Sequence, residues 1–286
     1  MPESLTSVLR LREKQWLGFK PLSGSLAQNI GRKLFFLFLT AQGIGMFAVV
    51  TLLTILKKFR LSKRIIQPSI RREMARASTK LMPMLLFLAL ALGFLIIAQT
   101  VAVAASVGAT HFIGTVMVVV VVREIGPLLA AFIVLVRVGT ANVIELGTIR
   151  AMGEIEVLES LGIDPVHYLI VPRVIGMAAG AFSLTVYFIL AALASGYLFA
   201  YLQDVPLTLG DYFRQITEAF YWPDFALLAL KTISFGFFTA IVTCYYGLAQ
   251  PLRLEEVSGV AVRAVSQSII VCVVIDVLFI LIFFIS

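Results

Sequence analysis

Apolar residues fall into six long runs along the chain, at 34–56, 82–106, 115–136, 174–202, 225–249 and 264–285. A helix needs about 20 apolar residues to cross a hydrocarbon core, and each run meets that length. A soluble α/β enzyme of this size would alternate strands with amphipathic helices, and nothing in the chain reads that way. The pattern predicts an all-α membrane protein with a single membrane domain. No stretch repeats another, so the inverted-repeat architecture of many secondary transporters has no support.

The polar segments between the runs orient them. Segment 57–80 holds Lys57, Lys58, Arg60, Lys63, Arg64, Arg71, Arg72, Arg76 and Lys80 against one acid, Glu73, and is expected inside by the positive-inside rule. The loop near 107–114 has no Lys or Arg and is expected outside. Segments 137–173 (Arg137, Arg150, Arg173) and 250–263 (Arg253, Arg263) fall inside, whereas 203–224 has only Arg214 among Asp204, Asp211, Glu218 and Asp224. Five runs then cross, and the C-terminus lies outside. The first run is basic on both flanks, with Arg10, Arg12, Lys14, Lys20, Arg32 and Lys33 before it, so a true span would strand one cluster outside. It is expected as an elbow helix embedded in the inner leaflet, its ends snorkelling to the surface. Gly43 and Gly45 in its middle would permit a bend. The expected organisation is a basic N-terminal region (1–80) carrying the elbow at 34–56, then a transmembrane domain (81–286).

Composition narrows the function. The chain is 60% hydrophobic and 14% charged, against roughly 25% charged in a soluble domain. Its net charge of +7 sits beside the apolar runs, where it sets topology and meets anionic lipid heads, so a nucleic-acid partner is not expected. Cys244 and Cys272 lie inside apolar runs and read as small hydrophobes. His111 and His167 stand alone, and no metal site is expected. Residues 1–33 hold six Lys or Arg and no long apolar stretch, so no cleavable signal peptide is expected. No G-x-x-x-x-G-K-[ST] loop, G-x-S-x-G elbow or H-E-x-x-H pair occurs, which argues against an enzyme and against a bound cofactor.

Two places carry candidate chemistry. In the inside segment GTANVIELGTIRAMGEIEVLESLGIDP (139–165), Met152, Ile155 and Leu158 follow helical spacing, with Val157 and Leu161 widening the face. Glu154, Glu156 and Glu159 form an acidic patch in an otherwise basic chain; Gly162 ends the helix, and Asp164-Pro165 restarts the chain. A solvated surface helix and a docking helix for a partner both fit. Within the spans, Arg123 and Glu124 precede Gly126-Pro127, where the proline can kink the helix. An embedded charge costs about 2.5–3.5 kcal/mol on insertion scales, so it faces a partner or a polar cavity. Counting about 1.5 Å per residue puts Glu124 and Lys231 both about 9–14 Å below the outer surface. A structural ion pair and a polar lining for a lipid head group are both open. Asp276, a third embedded charge without a depth-matched partner, reads as structural. Gly176 and Gly180 form a G-x-x-x-G pair that permits close helix contact.

The run REIGPLLAAFIVLVRVGTANVIELGTIRAMGEIEVLESLGIDPVHYLIVPRV, with CYYGL at 244–248, closely resembles the permease subunits of MCE-associated ABC transporters, the MlaE/YrbE family. The likeness covers roughly 65–285. It implies a five-span permease with an elbow helix, working as a homodimer in an inner membrane, either bacterial or of a related organelle. A cytoplasmic ABC ATPase dimer would dock on the helix around 148–161. An MCE-domain protein would sit on the periplasmic face, and often a small STAS-domain protein binds the ATPase. The cargo would be phospholipid moving between inner and outer membranes. Glu124 matches a family glutamate near the lipid cavity, and Lys231 matches a family lysine in the corresponding helix. The competing expectations are a secondary transporter driven by an ion gradient, with Glu124 and Asp276 carrying protons, and a non-transporting scaffold.

Overall fold

A computed structural model describes residues 26–58, 63–107, 113–203, 208–220, 222–248 and 254–285. Arg10, Arg12, Lys14, Lys20, Arg60, Asp204 and Arg253, which enter the charge argument above, lie outside the described residues, as does His111. Among the described residues there is no strand. The helices are α1 (Leu26–Lys58), α2 (Lys63–Ala77), α3 (Met82–Val107), α4 (Ile113–Ala151), α5 (Glu154–Ser160), α6 (Val166–Leu202), α7 (Leu209–Ala219), α8 (Trp222–Leu248) and α9 (Val257–Ile285). The chain is an all-α membrane protein. Six helices are long and apolar enough to cross a membrane, and α1 is one of them over Leu39–Leu56. It runs unbroken past Gly43 and Gly45, and Gly43 gives room to the Tyr245 hydroxyl rather than a bend.

The helices outrun the apolar runs at the basic end of the bundle. α4 continues to Ala151, α6 starts at Val166, and α9 starts at Val257. Lipid stops requiring apolar side chains at the headgroups, but backbone hydrogen bonding has no reason to stop there. Pro172 stands in the first turn of the regular α-helical stretch of α6, which begins at Val171. It is accommodated by a wide turn over Val166–Ile170, closed by the Val171 N–H donating to the Val166 carbonyl five residues back. Pro127 follows a longer wide turn of the same kind, Val118–Ile125, closed from Gly126 to Val121. A proline has no N–H and crowds the preceding turn, and an extra residue per turn relieves both. A third wide turn, Leu135–Gly139, has no proline after it.

α6 is the hub, touching α2, α3, α4 and α8. Small residues let it: a β-carbon on Gly176 would meet Glu73 Cβ at 2.6 Å, and one on Gly180 would meet Ala77 Cβ at 2.6 Å. The G-x-x-x-G face is thus the seat of α2. Three buried hydroxyls are satisfied within their own helices, where Thr185, Thr232 and Thr243 donate to carbonyls four residues back. The buried core gathers Leu85, Ile97, Met117, Met177, Leu184 and Phe188 around α6. The opposite faces expose Phe87, Leu95, Leu190, Val274 and Leu278, which suits contact with lipid.

Candidate functional site

The wide turn before Pro127 places two adjacent charged residues. Arg123 donates from Nη2 to Asp224 Oδ2 at 2.9 Å and to the Ala219 carbonyl at 3.3 Å, reaching the junction of α7 and α8. Glu124 Oε2 accepts from Lys231 Nζ at 2.9 Å. Pro127 cannot donate to the Arg123 carbonyl four residues earlier, and Lys231 takes the vacant role, with Nζ 3.0 Å from that oxygen. The proline thus creates an acceptor as well as a distorted turn.

Lys231 is 5% exposed and also lies 2.7 Å from Asp276 Oδ1, a charge contact without hydrogen-bond alignment. Asp276 therefore has a partner after all. The residue count that matched Glu124 to Lys231 also reaches it, because Asp276 stands nine positions before the end of its run at 285. Three oxygens from α4 and α9 surround one ammonium that has three protons to give. The five charged side chains are two cations (Arg123, Lys231) and three carboxylates (Glu124, Asp224, Asp276). Glu124 is the accessible one, its side chain 41% exposed against 5% for Asp224 and 15% for Asp276. Arg123, Glu124, Asp224 and Lys231 line a pocket together with Val122, Leu227, Leu228 and Phe279. Arg123, expected as cavity lining, also pins α4 to α8 through Asp224.

A second network joins α2, α4 and α6 at the other end. Glu145 accepts from both Arg76 nitrogens, one at 3.0 Å, and from Arg173 Nη2 at 3.0 Å. Arg76 also lies 3.8 Å from Glu73. Sequence reading missed this cluster, although Glu145 is the lone acid between Arg137 and Gly153.

The docking segment is shorter than its sequence pattern. α4 ends at Ala151, and Gly153 adopts φ 74 and starts a separate helix of 7 residues. Gly162, with φ 72, closes it: its N–H donates to the Glu159 carbonyl at 3.0 Å and that of Ile163 to Leu158 at 2.9 Å, the left-handed glycine ending that satisfies the last carbonyls. Asp164 Oδ1 then accepts from the Val166 N–H at 3.1 Å and opens α6. Met152 and Leu161 flank α5 rather than belong to it. Ile155 is buried and anchors the segment, and Leu158 is half-buried. Met152, Val157 and Leu161 are exposed, as are Glu154, Glu156 and Glu159.

Comparison with known proteins gives one family. The model of the permease MlaE family matches residues 70–282, well over half of the chain. A probable ABC transporter permease protein of Synechocystis is 33% identical over 57% of this chain and 62% of its own length. One from Rickettsia typhi is 26% identical over 82% of this chain and 89% of its own. The Arabidopsis thaliana protein TRIGALACTOSYLDIACYLGLYCEROL 1, chloroplastic, is 27% identical over 57% of this chain and 46% of its own. The first two relatives are spanned over less than two thirds of their length, 62% and 64%.

Proposed function

The chain belongs to the MlaE permease family, and on that premise we propose that it is the permease subunit of an ABC transporter that moves phospholipid between inner and outer membranes. The observation that carries the cargo is the pocket beside Lys231. It combines Leu227 and Phe279 with an accessible carboxylate, Glu124, held by a buried lysine. Apolar walls with a few fixed polar groups suit an amphipathic ligand, and the name of the Arabidopsis relative is that of a glycerolipid. Because three oxygens already surround Lys231, the group that meets a head group in this reading is Glu124, and Lys231 sets its position.

Power comes from a separate ATPase dimer. Its seat is α5 with its flanks, where Met152, Val157 and Leu161 are exposed beside Glu154, Glu156 and Glu159. Ile155 and the two left-handed glycines tie that seat to α4 and α6, which supports transmission of ATPase movement into the spans. The rest of the proposed assembly is a homodimer of this chain, a periplasmic MCE-domain protein and a STAS-domain protein on the ATPase. The permease domain is 81–286, and α1 within the basic region 1–80 is an embedded elbow. The N-terminus is cytoplasmic and the C-terminus periplasmic.

The test is transport of labelled phospholipid by liposomes containing this chain and its co-purifying ATPase. Transport that requires ATP hydrolysis is expected. Transport that persists without ATP and follows an imposed proton gradient would overturn the reading in favour of a secondary transporter.

A further inference from the structure

At the end of the bundle that carries Glu145, a second open pocket lies between α2, α3 and α4. It is lined by Arg76, Lys80 and Arg137 together with Leu81, Met84 and Val138. It is remote from the cargo pocket, since Arg137 stands thirteen residues beyond Glu124 on α4, about 20 Å of helix. We propose that this pocket binds the phosphate of an anionic phospholipid of the inner leaflet, as a lipid site separate from the cargo site.

The charges set the ligand's sign. Arg76 and Arg173 are matched by Glu145 and Glu73, so the surplus positive charge at the pocket is that of Lys80 and Arg137. Lys80 and Arg137 are exposed, and among the described residues neither is paired with a carboxylate; the Arg137 contact is Met84 Sδ at 3.9 Å from Nη2. Arginine and lysine donors grouped without acids recognise phosphate oxygens.

The walls set the ligand's source. Leu81 and Val138 are buried at the pocket while Met84 is exposed, so a bound phosphate would have apolar surface beside it for the glycerol and upper acyl chains. Met84 belongs to the first turn of a span, which puts Lys80 and Arg137 at headgroup depth. A soluble phosphate has no use for the apolar half. A leaflet lipid matches both halves, and basic pockets between spans on the inner side are suited to anionic head groups.

The site does not depend on the transport reading, because retention needs neither ATP nor a partner. The experiment is native mass spectrometry of the purified full chain, released from detergent after incubation with phosphatidylglycerol, phosphatidylcholine or inorganic phosphate. The expected result is preferential retention of phosphatidylglycerol. Arg137→Gln should lower that preference roughly fivefold, and Lys80→Gln with Arg137→Gln on the order of twentyfold. Arg137→Lys should keep most of it, and phosphatidylcholine retention should stay level in all variants, which a misfolded chain would not show. Equal phosphatidylglycerol preference in the wild type and the double variant would overturn the site. Displacement of the lipid by inorganic phosphate at equal concentration would overturn the lipid as its source.

Discussion

Around Lys231 every charged side chain meets one of opposite sign, whereas around Glu145 the cations outnumber the acids and Lys80 and Arg137 are left without a carboxylate among the described residues. The first cluster has three carboxylates to two cations, and Lys231 is 5% exposed. The second has Arg76, Arg173, Lys80 and Arg137 against Glu145 and Glu73, with Lys80 and Arg137 exposed. Depth explains the difference. In the hydrocarbon layer an open charge is costly, so pairing there is a condition of folding. Near the headgroups water and phosphate are at hand, so unpaired cations are cheap to leave and free to bind something else.

The largest test of that contrast is Lys231→Met, which leaves Glu124 and Asp276 facing each other without a cation. A loss on the order of 3–5 kcal/mol is expected, read as a fall in the thermal midpoint in detergent, and adding Asp276→Asn should recover part of it. Arg123→Ala takes the guanidinium from the buried Asp224 carboxylate and should cost somewhat less, about 3 kcal/mol by the same measurement, because the Arg123 side chain is already 19% exposed. Glu145→Gln should cost only about 1 kcal/mol, and its effect should shrink further as salt rises, since half-exposed pairs are screened. If Glu145→Gln proved as damaging as Lys231→Met, depth would not be what separates the two clusters. Smallest for stability is the triple reversal of Glu154, Glu156 and Glu159 to Lys, within about 0.5 kcal/mol. That variant should nonetheless fail to bring down the ATPase on co-purification, and normal recovery would remove α5 as its seat.

Much of this architecture is legible in the residues. The apolar runs locate the cores of the six long helices, and counting along them pairs Glu124 with Lys231 because depth in a bilayer is a one-dimensional quantity. The helix ends are not legible in the same way. Hydropathy marks where lipid ends, and α4 continues fifteen residues past its apolar run at 136. Asp224 was counted as a loop acid, although it lies in the first turn of α8 and holds Arg123. The Glu145 cluster joins residues from three helices, and no spacing rule along one chain brings Arg76, Glu145 and Arg173 together. The helical spacing of Met152, Ile155 and Leu158 runs straight across Gly153. The left-handed backbone of that glycine, which separates α4 from α5, is set by the tertiary turn and leaves no mark in periodicity.

The wide turn Leu135–Gly139 lies between the two charge clusters on α4, and it fixes their timing. An α-helix advances about 100° per residue, so one residue more or less between Glu124 and Glu145 swings one cluster by that angle against the other. Removing the exposed Val136 would tidy the helix into a regular repeat and spoil the alignment. Lys231 and Arg76 would no longer meet their acids together, as two cams on one shaft fail when the shaft is cut and rejoined a notch out of phase.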